Sequence, residues 1–102
     1  MPEIDWHPKA DAEFRSSGCF YESRQAGLGE RFGLAVLAAI EEAALNPERY
    51  QETVGDCQFV RVKDFPYSVI YQSRRPSLRI IAVMHQHRRP GYWKGRAESR
   101  RR

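Results

Sequence analysis

Apolar residues recur at helical steps in the first half of the chain and at alternate positions in the second half. Residues 3–6, EIDW, alternate Ile4 and Trp6 with charged side chains, which predicts a short strand. Ala10, Phe14, Ser17 and Tyr21 then share one face at steps of three and four, which predicts a helix over about residues 8–25. Pro8 suits its first turn, and Asp11 and Glu13 sit near its positive end. Gly18 weakens its middle by about 1 kcal/mol relative to alanine and suggests a close approach by another element. A second helix, about residues 29–45, has the clearest stripe: Phe32, Val36, Ala39, Ile40 and Ala43, with Glu30, Arg31, Glu41 and Glu42 off it. Gly27 and Gly29 bracket Leu28 and permit a sharp turn with positive φ. Asn46 before Pro47 stops the second helix. The pair reads as an antiparallel helical hairpin.

The remainder reads as strands. Residues 57–65 alternate until Asp64, Phe65 and Pro66 break the run. Residues 67–72 are β-branched and aromatic, SRRPS turns the chain, and residues 78–85 form a third strand. These make an antiparallel meander. The predicted class is α+β in the order βααβββ, with the helical hairpin on one face of a small, mainly antiparallel sheet. The pattern leaves open which strand the first one joins.

Alternation also places candidate chemistry. On the last strand, Leu78, Ile80, Ala82 and Met84 form an apolar set that is expected to face the helices. Arg79, Ile81, Val83, His85 and His87 would face away. With Val60 and Val62 inward, Arg61 and Lys63 would join His85 and His87 on an open sheet face. Arg88, Arg89, Tyr92 and Trp93 would follow at its edge. Such a surface suits a phosphodiester: imidazole can move protons, guanidinium forks onto phosphate, and an aromatic ring stacks on a base. The competing reading is structural, with the histidines satisfying polar groups at the sheet edge and Trp93 capping the core rim. His85-x-His87 alone lacks the further donors zinc needs, and GLGERF lacks the lysine and spacing of a phosphate loop. No metal and no cofactor are expected.

Size and charge refine this picture. The chain of 102 residues is one domain's worth, read as a domain over residues 1–96 and a basic tail over 97–102. No apolar run is long enough to span a membrane, and the acidic N-terminus lacks a signal-peptide core, so a cytoplasmic protein is expected. Cys19 and Cys57 are expected to be reduced, buried thiols. The net charge of +4 is uneven. Residues 88–102 carry seven basic residues against Glu98, a net of +6, whereas residues 1–87 are net −2. A basic end on a near-neutral body points to an acidic or polyanionic partner.

YESRQAGLGERF (21–32), FPYSVIY (65–71) and MHQHRRPGYW (84–93), in that order, resemble the RelE/ParE superfamily of type II toxins. The resemblance implies the βααβββ fold, a cognate antitoxin that blocks the toxin, and one of two targets. In the RelE-like case, mRNA is cut on the ribosome. His87 or His85 would then transfer protons, Arg61 would clamp phosphate, and Tyr92 or Trp93 would stack. In the ParE-like case, DNA gyrase is poisoned without chemistry by the toxin, and the basic segment would be the contact surface: Arg88, Arg89, Lys94, Arg96 and onward, with Lys63 and Trp93. Phe59 and Ser68 stand where RelE-like nucleases carry lysine and arginine. Each lost cation removes on the order of 2–4 kcal/mol of transition-state stabilisation. The resemblance therefore ranks gyrase first, ribosome-dependent RNA cleavage second and a degenerate binding module third.

Overall fold

The structure, a computed structural model, describes residues 2–97. Helix α1 (Pro8–Arg24) begins with proline in its first turn, and His7 Nδ1 accepts a hydrogen bond from the Lys9 N–H as the cap. Helix α2 (Leu28–Leu45) begins after Gly27, whose φ of +88° is the left-handed conformation a side chain would resist. Glu22 clasps this turn from α1. Its carboxylate accepts hydrogen bonds from the Gly27 and Gly29 N–H groups, both at 2.9 Å. Gly29 lies inside α2 rather than in the turn. A Cβ there would stand 2.5 Å from the Gly18 carbonyl oxygen, so the missing side chain lets the helices approach. Gly18 itself faces open space, and the close approach expected of it belongs to Gly29.

Among the described residues, five strands form one sheet in the order β1-β5-β4-β3-β2. They are β1 (Glu3–Trp6), β2 (Glu52–Thr53), β3 (Cys57–Arg61), β4 (Tyr67–Arg74) and β5 (Ser77–His85). The helical hairpin is the crossover that lets β1 lie parallel to β5, pairing Ile4 with Leu78 and Trp6 with Ile80. The other pairings are antiparallel. The two-residue β2 is absent from the sequence expectation, being too short for alternation to register. β3 ends earlier than expected because the chain turns at Asp64, which has a φ of +70°.

One core lies between the helices and the sheet. Phe32, Val36 and Ile40 meet Val60, Val69, Tyr71, Leu78 and Ile80 there. The Phe32 and Tyr67 rings are 4.9 Å apart, and the Tyr67 hydroxyl donates to Ser17 Oγ. A second core occupies the opposite sheet face and consists of Cys57, Ile70, Ile81, Ala82 and Trp93. That face was expected to be open. Cys57 is buried as expected, whereas Cys19 is exposed on α1. Among the described residues, no helix is long and apolar enough to cross a membrane. Beyond Ala97, the expected basic tail lies outside the described residues.

The turn clasp makes a pH prediction. The backbone hydrogen bonds from Gly27 and then Gly29 lower the Glu22 pKa below the ordinary carboxylate value. A lowered folded-state pKa gives stability that is full above the unfolded value and lost as pH falls through the folded one. Urea midpoints measured from about pH 6 down to about pH 3 should therefore fall less steeply for Glu22→Gln than for the wild type.

Candidate functional site

A β-bulge decides which side chains meet. Between β4 and β5, Ile70 pairs with Ala82 but Tyr71 pairs with Ile80, so Ile81 is an extra residue. One inserted residue reverses the faces of everything beyond it. Leu78 and Ile80 face the helices as expected. Ala82 and Met84 belong to the second core instead, and Val83 faces the helices. His85 lies opposite Tyr67 on the helix side, with ring centroids 5.0 Å apart. The His87 ring meets His85 edge to face with centroids 5.0 Å apart, and its backbone N–H donates to His85 Nδ1. Arg61 lies opposite Ser68, which lies opposite Met84, on the other face. The expected grouping of Arg61 with His85 and His87 on one open face is therefore corrected.

The chain's own C-terminal segment covers the face that Arg61 borders. Trp93 is 2% exposed and packs against the second core. It is not available to stack on a base or touch a target, so that expectation is also corrected. Behind it is a cluster centred on Glu13 of α1. The Glu13 carboxylate accepts the Tyr92 hydroxyl at 2.8 Å, both terminal nitrogens of Arg96 at 3.0 and 2.9 Å, and the Val83 backbone N–H at 3.0 Å. Arg96 also donates to the Ile81 carbonyl. Beyond Ile80, β1 no longer covers the outer edge of β5. Glu13 and Arg96 supply hydrogen-bond partners there at the bulge itself. Arg96 is thus an internal tie rather than a free contact. Burial, and then the bond to Glu13, push the Tyr92 hydroxyl well above its ordinary pKa. Tyr92 is a fixed donor at neutral pH.

Lys63, Arg88, Arg89 and Lys94 are exposed. The Arg88 guanidinium lies 3.9 Å from the centroid of the Tyr92 ring. Among the described residues, no group of three or more His, Cys, Asp or Glu is placed to hold a metal ion. Sequence reading missed Glu13 as a site-forming residue. Its position near the helix start gave it a sufficient local role, and its partners are 70 to 83 residues away.

The family model described as "ParE toxin of type II toxin-antitoxin system, parDE" matches residues 4–90. The chain belongs to the ParE toxin family. A solved structure of the chromosomal ParDE toxin–antitoxin system from P. aeruginosa has the same fold. It is 16% identical, with a TM-score of 0.59, and the match covers 83% of this chain and 96% of that one. Comparison with curated proteins gives no match. The expected superfamily and its two-helix, single-sheet architecture are both borne out, and this ParE-family chain is a toxin of the type II class.

The Glu13 cluster should dominate stability at this end of the ParE-family fold. Glu13→Ala leaves the Arg96 guanidinium, 12% exposed, without its counter-charge. The loss should be about 3–5 kcal/mol. Tyr92→Phe removes one hydrogen bond and should cost about 1 kcal/mol. Urea unfolding followed by tryptophan fluorescence separates the two.

Proposed function

We propose that this toxin acts on DNA gyrase by binding, without chemistry of its own, and that a cognate antitoxin neutralises it in the cytoplasm. The carrying observation is the separation of Arg61 from His85 by the thickness of the sheet. Cutting RNA needs a base, an acid and a charge clamp converging on one phosphate. In this fold the imidazoles and the guanidinium approach from opposite faces.

The filled sheet face supports the same reading. Phe59 belongs to the second core, and Ser68, beside Arg61, is buried. These are the two positions where the resemblance compares this chain with nucleases that carry cations. Here Phe59 packs against the second core that contains Trp93, and Ser68 is buried. Lysine and arginine would project charge into that space. That the solved structure with the same fold is of a ParDE toxin–antitoxin system supports the antitoxin as partner.

Expression without antitoxin tests the reading. Purified toxin should inhibit gyrase supercoiling and stabilise cleaved DNA, while primer extension on cellular mRNA shows no new cuts. Arg61→Ala and His87→Ala should both remain toxic. Loss of toxicity in either variant, with new mRNA 5′ ends in the wild type only, would replace the gyrase reading with a nuclease.

A further inference from the structure

The segment after β5 ends in a chain of fixed contacts that leads outward. Glu13 accepts the Tyr92 hydroxyl at 2.8 Å, and the Tyr92 ring carries the Arg88 guanidinium at 3.9 Å. Arg88 is exposed, yet its head group has a set place. The ring covers one side of the guanidinium, and N–H groups directed away from it can fork onto an anion. Arg89 and Lys94 are exposed on the same segment. Residues 85–97 contain no aspartate or glutamate. Arg96 is the member of this basic run whose charge is matched internally, by Glu13.

We propose that Arg88, seated on Tyr92, is the anchor of a cationic ridge with Arg89 and Lys94 that grips the phosphate backbone of duplex DNA. The inference rests on the gyrase reading, since gyrase works on DNA, and it adds a direct toxin–DNA contact.

Surface chemistry favours nucleic acid over an acidic protein. Protein interfaces are anchored by apolar or aromatic side chains entering pockets. The ridge offers none: Trp93 is committed to the second core, and the Tyr92 ring packs against that core and carries Arg88. Among the described residues, the exposed large apolar side chains are Phe20, Leu34, Leu37, Leu45 and Val54, none of them within residues 85–97. DNA interfaces are positive, polar and wet. They also use guanidinium groups to fix orientation on phosphates.

The experiment measures binding of full-length toxin to a short labelled duplex by anisotropy across salt concentrations. The triple variant R88A/R89A/K94A should bind at least about tenfold more weakly and show a salt slope shallower by roughly three units. Tyr92→Leu should weaken binding as much as Arg88→Ala, whereas Tyr92→Phe keeps the ring but loses the tie to Glu13 and should weaken binding less. Thermal melts establish that each variant is folded, and the arginines beyond residue 97 are common to all. Wild-type affinity in the triple variant overturns the proposal. So does displacement of the duplex by polyglutamate of equal charge, which would assign the ridge to an acidic protein. Gyrase assays separate the two claims. Full gyrase inhibition by folded Arg88→Ala overturns the DNA contact and leaves the gyrase reading standing. Arg88-dependent duplex binding without gyrase inhibition by the wild type keeps the contact and overturns that reading.

Discussion

One carboxylate, Glu13, closes this fold. Strand β5 is an interior strand for only part of its length: β1 accompanies it only as far as Ile80, and past that point no strand among the described residues lies beside its outer edge. An uncovered edge invites pairing with other chains. Glu13 reaches the edge from the helix layer and takes the Val83 N–H, and Arg96 reaches it from the C-terminal segment and takes the Ile81 carbonyl. The same carboxylate then holds Arg96 and Tyr92 together. A helix, the edge of a sheet and the segment behind that sheet are thereby joined at one point. Trp93 lies between Tyr92 and Arg96 in sequence, so the cluster also fixes the lid of the second core.

The bulge at Ile81 and the cluster belong to one solution. An extra residue in β5 carries the outward-facing groups to where Glu13 and Arg96 meet them. The same insertion carries His85 to the helix face and places Ala82 and Met84 under Trp93. Structural economy and functional consequence therefore share a cause. A chain that seals this edge with a bulge gives up the alignment of imidazole and guanidinium that phosphodiester chemistry would require.

The element types were legible because each rests on short-range periodicity. Phe32, Val36, Ile40 and Ala43 could only be a buried helical stripe, and Gly27 could only be a turn. The facing of β5 was not legible. Residues 80–84 are apolar without interruption, so IIAVM reads equally well with or without an inserted residue. Alternation identifies a face only when one side is polar, and here a second core makes both sides apolar. Trp93 was legible as a large apolar group near the strand end. That it covers the sheet depends on Glu13 and Arg96, whose 83-residue separation no local pattern reports.

Covering one sheet face also divides the remaining surface by chemistry. The exposed leucines of α2 lie on the helical side, and Arg88, Arg89 and Lys94 are exposed on the segment over the opposite face. On the proposed reading a toxin that works by occupancy is gripped by both an inhibitor and a target, and two chemically distinct surfaces would let each partner be recognised by different forces. Apolar contact with leucines is insensitive to salt, whereas guanidinium–phosphate contact weakens steeply with it. Rigidity matters more for the second kind. A freely rotating arginine gives up side-chain entropy on binding, and one already held on a ring gives up less. Under the proposed DNA contact, the position of Arg88 on Tyr92 is a physical reason for target affinity to reside in this short segment, and Glu13 extends that reason back to the centre of the fold.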